Sequence, residues 1–217
     1  MFDTILFDLD GTISDSAPGI TRCVAYALEK FDIKTGNLSS LTWFVGPPLR
    51  DSFAKLGFDS EQVEQAVAFY RERYEPIGVY ETEAYPGVRE MIRFLHEKGK
   101  TLALATSKPT VFAKVVLDDY GIANCFDFVL GCELDGRRDD KAEIMAECLA
   151  ALGIEGEKKS RAIMVGDRNY DINGAKANGI NSVAVTYGYA PEGELQAAKP
   201  DHIVNNTEEL QKLLLSE

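Results

Sequence analysis

The sequence predicts an α/β fold: a doubly wound parallel sheet with helices on both sides and a helical domain inserted after the first strand. Two observations support this. Short apolar runs, typical of buried strands, alternate with segments of helical periodicity. The connection from residue 7 to residue 101 is far longer than one crossover helix requires, so it must contain additional structure.

The predicted strands are brief and nearly continuous in apolar character, as expected for strands covered on both faces. They are Thr4–Phe7, Thr101–Ala105, Phe126–Leu130, Ala162–Val165 and Ser182–Val185, with a weaker one at His202–Val204. Segments with one apolar face lie between them and predict helices, for example Ala142–Leu152. The last helix is expected to begin with Asn206 or Thr207 as its N-cap.

Three further helices are predicted inside the long connection. They cover Ser16–Phe31, Pro48–Leu56 and Ser60–Tyr74. The Pro86-Gly87 pair marks the return of the chain to the sheet. We therefore assign residues 14–82 to an α-helical cap domain and residues 1–13 and 83–217 to the α/β core.

Composition excludes several classes of function. The 217 residues carry a formal net charge of −12, which disfavours a nucleic acid polymer or an anionic membrane surface as partner. A small anionic substrate stays possible, because local cations or a metal can override the global field. The four cysteines form no Cys-x-x-Cys pair, and neither a secretory leader nor a bilayer-length apolar run is present, so we expect a cytoplasmic protein.

The strongest chemical signal is the segment Asp8-Leu9-Asp10-Gly11-Thr12, which directly follows the first predicted strand. Alternation along a strand points Asp8 and Asp10 to the same side, at the sheet edge where parallel sheets bind ligands. One aspartate could serve as a turn residue. Two aligned carboxylates repel each other unless a cation or a proton is present, so a functional site is favoured.

Three weaker signals follow later strands. Gly166–Asp171 places Asp167 and Asp171 after Ala162–Val165, and with the first cluster it predicts an all-oxygen site that suits Mg²⁺. Thr106 and Ser107 follow the second strand, where a hydroxyl and a helix N-terminus can hold a phosphate; Pro109 fits the first helical position. Lys141 precedes the helix Ala142–Leu152, and alone it would read as a surface lysine.

These four segments, in this order, resemble the motifs of the haloacid dehalogenase superfamily. Within it, the sequence looks like the phosphoglycolate phosphatase-like branch with a helical cap, and the resemblance covers essentially the whole chain. Asp8–Thr12 matches the first motif, Thr106 the second, Lys141 the third and Gly166–Asp171 the fourth. One departure is Ala142, where many relatives have proline. The resemblance implies a Rossmann-like core.

The resemblance also implies roles. Asp8 would be the nucleophile that forms an aspartyl phosphate, and Asp10 would be the general acid and base. Thr106, the Ser107 amide and Lys141 would neutralise the phosphoryl oxygens. The expected Mg²⁺ ligands are Asp8, the main-chain carbonyl of Asp10 and Asp167, with Asp171 either ligating through water or orienting Lys141. Thr12 would orient the Asp10 loop, and Arg50 in the cap would contact the substrate or remain a solvated arginine.

The expected function is therefore Mg²⁺-dependent hydrolysis of a small phosphorylated metabolite, with 2-phosphoglycolate as the leading candidate. A 5′-nucleotidase or a pyrophosphatase uses the same core chemistry, whereas a phosphosugar mutase is less favoured because of Thr12. A non-catalytic binding protein would not need both Asp8 and Asp10. The sequence is compatible with a monomer or a homodimer.

Overall fold

A computed structural model describes residues 2–216 of the chain. Its strands are β1 (Thr4–Phe7), β2 (Ser14–Asp15), β3 (Glu83–Ala84), β4 (Thr101–Pro109), β5 (Phe128–Cys132), β6 (Ala162–Gly166), β7 (Asn181–Val185) and β8 (His202–Val204). Six of them form one sheet in the order β5-β4-β1-β6-β7-β8, and every neighbouring pair is parallel. The predicted α/β class with a parallel sheet is confirmed.

The structure contains helices that cover both faces of this sheet and helices that belong to the long connection between β2 and β3. They are α1 (Ala17–Glu29), α2 (Leu49–Lys55), α3 (Ser60–Tyr74), α4 (Val88–Glu97), α5 (Thr110–Asp119), α6 (Lys141–Ala151), α7 (Asn169–Asn178), α8 (Glu194–Ala198) and α9 (Thr207–Leu215). Asn206 caps α9 as expected, since its side chain accepts a hydrogen bond from the Glu209 amide at 2.9 Å. Within residues 2–216, no helix has the length and apolar character needed to cross a bilayer.

Alternation in β1 distributes its side chains between the two layers. Ile5 and Phe7 join the apolar cluster that includes α4, α5 and α9, whereas Leu6 packs with α6 and α7. All three side chains are fully buried, and burial of each contributes about 1.5 to 3 kcal/mol. Since both faces are covered, the central strand is firmly held, and the acidic segment that follows it begins from a fixed point.

The helices α1, α2 and α3 lie between β2 and β3, in the long connection where the sequence predicts a cap. β2 and β3 pair antiparallel, with Ser14 opposite Ala84 and Asp15 opposite Glu83. The chain therefore leaves and re-enters the core through two adjacent segments. We call residues 14–82 the helical insertion; these domain boundaries stay a prediction.

Several predicted element boundaries differ from the structure, and one of them is the end of β4, which continues to Pro109 instead of stopping at Ala105. β5 begins at Phe128, two residues later than the expected strand, because Phe126 is the C-cap residue of a short 3₁₀ helix at Ala123–Cys125. Pro109 is not the first residue of a helix; its ψ of 134° is extended, and α5 begins at the next residue. Pro48 precedes α2 in the same way, with ψ also 134°. In both cases the proline ends the extended segment before the helix.

Candidate active site

The carboxyl ends of three neighbouring strands bring the predicted acidic residues together. Register places Phe7 of β1 beside Val165 of β6 and Leu104 of β4. The residues that follow these positions include Asp8 and Asp167, and both are buried. The amide of Asp8 donates to the Val165 carbonyl at 2.9 Å, which holds the start of the acidic segment against β6. The parallel sheet thus converts distant sequence positions into one cluster.

Three carboxylates converge as the sequence predicts. One oxygen from each of Asp8, Asp167 and Asp171 lies within 4.8 Å of the others, and all three residues are buried. Asp171 comes from the first turn of α7, and one of its oxygens accepts a hydrogen bond from the Arg168 amide at 3.1 Å. Asp8 accepts from the Leu9 amide at 2.7 Å. Backbone donors therefore orient part of the trio, and the remaining negative charge needs another partner.

Close backbone approach makes this cluster possible. Gly11 has φ of +79°, and a Cβ there would lie 2.2 Å from Asp167 Oδ2. Gly188, in the loop after β7, would place a Cβ 2.4 Å from Asp167 Cβ and also from the Gly11 carbonyl oxygen. The next residue, Tyr189, donates its amide to Asp167 Oδ2 at 2.7 Å. Gly11 and Gly188, from two separate loops, therefore pack directly against the side chain of Asp167.

Lys141 lies inside the cluster rather than on the surface. Its Nζ is 2.9 Å from Asp8 Oδ1 and 3.1 Å from Asp171 Oδ1, and it donates to the Ala105 carbonyl at 3.2 Å. Burial alone would lower the pKa of Lys141, but Asp171 and Asp8 outweigh burial, so its pKa is raised. Asp140 caps α6 by accepting from the Ala142 amide at 2.6 Å, which begins the helix without the proline many relatives have.

The site has the donor set and the charge that a divalent cation requires. Asp167 Oδ1 is buried and has no hydrogen-bond partner among the described residues. Burial, then Asp171 and Asp8, raise the pKa of Asp167 well above its usual range, and burial raises the pKa of Asp171 to about 6. A cation bound among these oxygens would reverse both shifts. Carboxylate oxygens without thiolate or imidazole suit Mg²⁺, so the residues fit the expected ion.

The side chain of Asp10 has a different partner from the carboxylates of Asp8, Asp167 and Asp171. Its Oδ1 lies 2.8 Å from Nζ of Lys108, and both side chains are nearly buried. Lys108 also donates to the Tyr74 hydroxyl at 2.7 Å. Lys108 was not predicted to belong to the site. It lies two residues after Thr106 on β4, and strand alternation would have placed the two side chains on the same side. The predicted metal contact of the Asp10 main-chain carbonyl stays a prediction.

The predicted phosphate-binding residues occupy the same end of the sheet. Thr106 is buried, and its hydroxyl accepts a hydrogen bond from the Lys108 amide at 3.2 Å. Ser107 is half-buried and lines the cavity described below. The Thr12 hydroxyl is buried and makes no hydrogen bond to any described residue, so the expected orienting bond is not seen. The Thr12 carbonyl instead accepts from the Tyr187 hydroxyl at 3.1 Å.

A cavity of about 100 Å³ lies between the core and the helical insertion. Its polar lining comes from Asp10, Ser107, Lys108, Glu133 and Asp139 on the core side and from Arg50 and Arg71 of the insertion. Most of the remaining lining is apolar or aromatic: Ile20, Phe44, Pro47, Pro48, Leu49, Val67, Tyr70, Tyr74, Pro109 and Phe112. The acid predicted to protonate the leaving group therefore faces a largely apolar chamber.

Arg50 lines this cavity, but its guanidinium group is already paired. It donates to both carboxylate oxygens of Glu64, at 2.6 and 2.9 Å, within the insertion. Its predicted contact with substrate stays a prediction and would require this pair to open or to be shared.

Arg168, next to Asp167, connects the core to the insertion. No role was predicted for it from the sequence. Its guanidinium group donates to the Val45 carbonyl at 2.8 Å and to Glu194 of α8 at 2.8 and 3.2 Å. Gly46 beside it has φ of +101°, and a Cβ there would lie 3.0 Å from the guanidinium. Arg168 thus holds the loop before α2 against the core.

Comparison with known proteins places this geometry in a family. Residues 5–185 match the model of the haloacid dehalogenase-like hydrolases. A 5′-nucleotidase from Pseudomonas aeruginosa is 39% identical over 99% of this chain and 96% of its own length. Phosphoglycolate phosphatase 1 from the same organism is 31% identical over 95% of this chain and 77% of its own.

The fold agrees with a solved structure of a relative. A predicted phosphatase from Clostridium acetobutylicum superposes with a TM-score of 0.93 at 42% identity, over 99% of each chain. The expected enzyme class, a hydrolase that acts on phosphate esters, is confirmed by these relatives. The chain therefore belongs to the haloacid dehalogenase-like hydrolase family.

Proposed function

We propose that this chain is a Mg²⁺-dependent phosphatase that hydrolyses small phosphomonoesters through an aspartyl phosphate on Asp8. One observation carries the proposal: the buried carboxylate of Asp8 lies 2.9 Å from the ammonium group of Lys141 and clusters with the carboxylates of Asp167 and Asp171. This arrangement supports Asp8 as the nucleophile, because the ammonium group of Lys141 lies next to its carboxylate. The three aspartates and the Asp10 carbonyl would hold Mg²⁺, which would offset the repulsion between Asp8 and an anionic phosphoryl group.

In the first half of the reaction, an oxygen of Asp8 forms a bond to phosphorus while the bond from phosphorus to the leaving oxygen breaks. Asp10 gives its proton to that leaving oxygen. Lys141, the Thr106 hydroxyl and the Ser107 amide stabilise the charge on the other phosphoryl oxygens. In the second half, Asp10 takes a proton from water, whose oxygen attacks phosphorus, and the bond to Asp8 breaks to release phosphate.

We propose a nucleoside 5′-monophosphate as the preferred substrate class. The apolar and aromatic lining next to Asp10 supports a leaving group with a flat, weakly polar ring, which such a lining can contact favourably. The relative named 5′-nucleotidase supports the same class. The expected 2-phosphoglycolate is the second candidate. Lys108 supports it, because a buried ammonium group at the cavity lining can meet a substrate carboxylate.

The mechanism is tested by changing the nucleophile. Asp8→Asn should abolish phosphate release from p-nitrophenyl phosphate with Mg²⁺, because an amide cannot form the acyl phosphate, while the thermal transition stays cooperative. Asp118→Asn, at an exposed position on α5, should keep full activity. Full turnover by the Asp8 variant would exclude the nucleophile assignment.

The substrate class is tested with a panel at equal concentration: nucleoside 5′-monophosphates, 2-phosphoglycolate and pyrophosphate. The ratio of kcat/KM values decides between them. A value for 2-phosphoglycolate or pyrophosphate above that of every nucleotide would overturn the nucleotide proposal and leave the phosphatase mechanism standing.

A further inference from the structure

Lys108 joins three parts of the molecule through one buried ammonium group. Its Nζ lies 2.8 Å from Asp10 Oδ1 on the core and donates to the Tyr74 hydroxyl at 2.7 Å at the end of α3. The Nζ also lies 5.2 Å from the centre of the Tyr74 ring. The side chains of Lys108 and Asp10 are 5% and 10% exposed, and Tyr74 is buried. The ammonium group of Lys108 therefore contacts both the proposed general acid Asp10 on the core and Tyr74 on the insertion.

Burying the charges of Lys108 and Asp10 costs free energy, so the contacts that offset this cost indicate how the pair is held. Two charges removed from water repay their desolvation only when they are close and well hydrogen-bonded. The Tyr74 hydroxyl supplies a neutral acceptor for Lys108, and Tyr74 is itself fixed by an edge-on contact with Phe112 at 5.3 Å between ring centres. Burial alone would lower the pKa of Lys108, but Asp10 and Tyr74 outweigh burial and raise it, so the ammonium form persists.

We propose that Lys108 is a positioning residue that orients the general acid Asp10, and that Tyr74 holds Lys108 in place when the insertion packs on the core. The inference rests on the function proposed above. Proton transfer requires the acid within about 2.6 to 3.2 Å of the leaving oxygen. An ammonium group fixed at Oδ1 limits rotation of the Asp10 carboxyl and leaves Oδ2 as the oxygen that carries the proton.

If Lys108 orients Asp10, the effect of removing Lys108 should depend on the leaving group of the substrate. An alkyl phosphate needs a proton on its leaving oxygen, whereas p-nitrophenolate leaves without one. Loss of acid positioning should therefore slow formation of the aspartyl phosphate from alkyl esters and spare its formation from the activated aryl ester, whereas the later hydrolysis, in which Asp10 is the base, is common to both. A residue that only supports the fold, or only binds the phosphoryl group, would affect both esters equally.

The experiment compares Lys108→Met with the unmodified protein on two substrates: p-nitrophenyl phosphate and the alkyl ester of the panel that the unmodified protein turns over fastest. We expect kcat/KM, which reports formation of the aspartyl phosphate and not its hydrolysis, to fall at least about 100-fold for the alkyl ester, the lower end of what a general acid contributes, and less than about 10-fold for the aryl ester. Lys108→Arg should recover part of the alkyl activity. Lys114→Met, an exposed lysine on α5, is the matched control and should change neither rate.

Tyr74→Phe removes only the hydroxyl group and serves if Lys108→Met does not fold. It should lower the alkyl rate in the same selective way but less strongly. The double variant should lose no more than Lys108→Met alone, because Tyr74 acts through Lys108.

Equal losses on both esters, or no loss in either variant, would overturn the role of Lys108. Absence of Mg²⁺-dependent turnover of p-nitrophenyl phosphate by the unmodified protein would instead overturn the proposed function, so the two failures are distinguishable.

Discussion

Nζ of Lys141 lies 2.9 Å from Oδ1 of Asp8, and both side chains are 5% exposed. An ammonium group at this distance lowers the electrostatic cost of bringing a phosphoryl dianion to the carboxylate. The same nitrogen is 3.1 Å from Asp171 Oδ1, a second contact that fixes the position of the lysine. The lysine is thus held by both a proposed nucleophile and a proposed metal ligand.

Lys141→Met should reduce kcat for a phosphomonoester by about 100- to 1,000-fold, comparable with removing one preorganised donor to a developing negative charge. The loss follows from the missing cation next to Asp8. Steady-state kinetics at saturating Mg²⁺ measures it, and a thermal melt shows whether the fold persists. Removing one partner of a buried pair costs about 3 to 5 kcal/mol, so the melting temperature should also fall.

Lys212→Met is the control for this change, since Lys212 is exposed on α9. It should retain both rate and melting temperature. An unchanged kcat in Lys141→Met would show that the lysine supports the fold without supporting the reaction.

Mg²⁺ should stabilise the protein more at about pH 7.5 than at about pH 5. In the metal-free protein the pKa of Asp171 is raised to about 6 and that of Asp167 is raised further above its usual range. The folded state then binds more protons than the unfolded chain, so stability contributed by these groups falls as pH rises through the raised pKa values. Mg²⁺ replaces those protons, and its effect is therefore greatest where they have dissociated.

Thermal melts with and without Mg²⁺ measure this linkage. A concentration of about 100 times Kd contributes about 2.7 kcal/mol, which corresponds to roughly 5 to 10 °C for a chain of this size. Asp167→Asn should remove most of the Mg²⁺-dependent shift at the higher pH. A shift of the same size at both pH values, or one that survives Asp167→Asn, would contradict the assignment of the trio as the metal site.

The sequence predicted the convergence of the acidic groups because parallel strands end at one edge of the sheet. Asp8 and Asp167 follow β1 and β6, which are neighbours in the sheet. Family resemblance then identified Lys141, which no local pattern distinguishes from a surface lysine. The structure adds its two short contacts and the aspartate cap that begins its helix.

Contacts between the insertion and the core were not predictable in the same way. Lys108 meets Tyr74, and Arg168 meets the Val45 carbonyl, across segments distant in the chain. Neither periodicity nor strand order specifies how an inserted helix lies on a sheet edge. Arg50 shows the converse: its type and place suggested an anion partner, yet the structure pairs it with Glu64, a neighbour in the same insertion.

Gly188→Ala should weaken Mg²⁺ binding and lower activity although the residue contributes no ligand. Its Cβ would lie 2.4 Å from Asp167 Cβ and 2.4 Å from the Gly11 carbonyl oxygen, and the second of these is backbone that cannot rotate away. The loop or Asp167 must therefore move, which costs about 1 to 3 kcal/mol as overpacking and misplaces the proposed metal ligand.

Gly36→Ala is the matched control, because a Cβ there would have no heavy atom within 4 Å. We expect its effect on stability to stay within about 0.5 kcal/mol. Titration of the melting temperature with Mg²⁺, together with kcat for p-nitrophenyl phosphate, distinguishes the two variants. If Gly188→Ala bound Mg²⁺ as tightly as Gly36→Ala, the close packing of this loop on Asp167 would not be what positions the ligand.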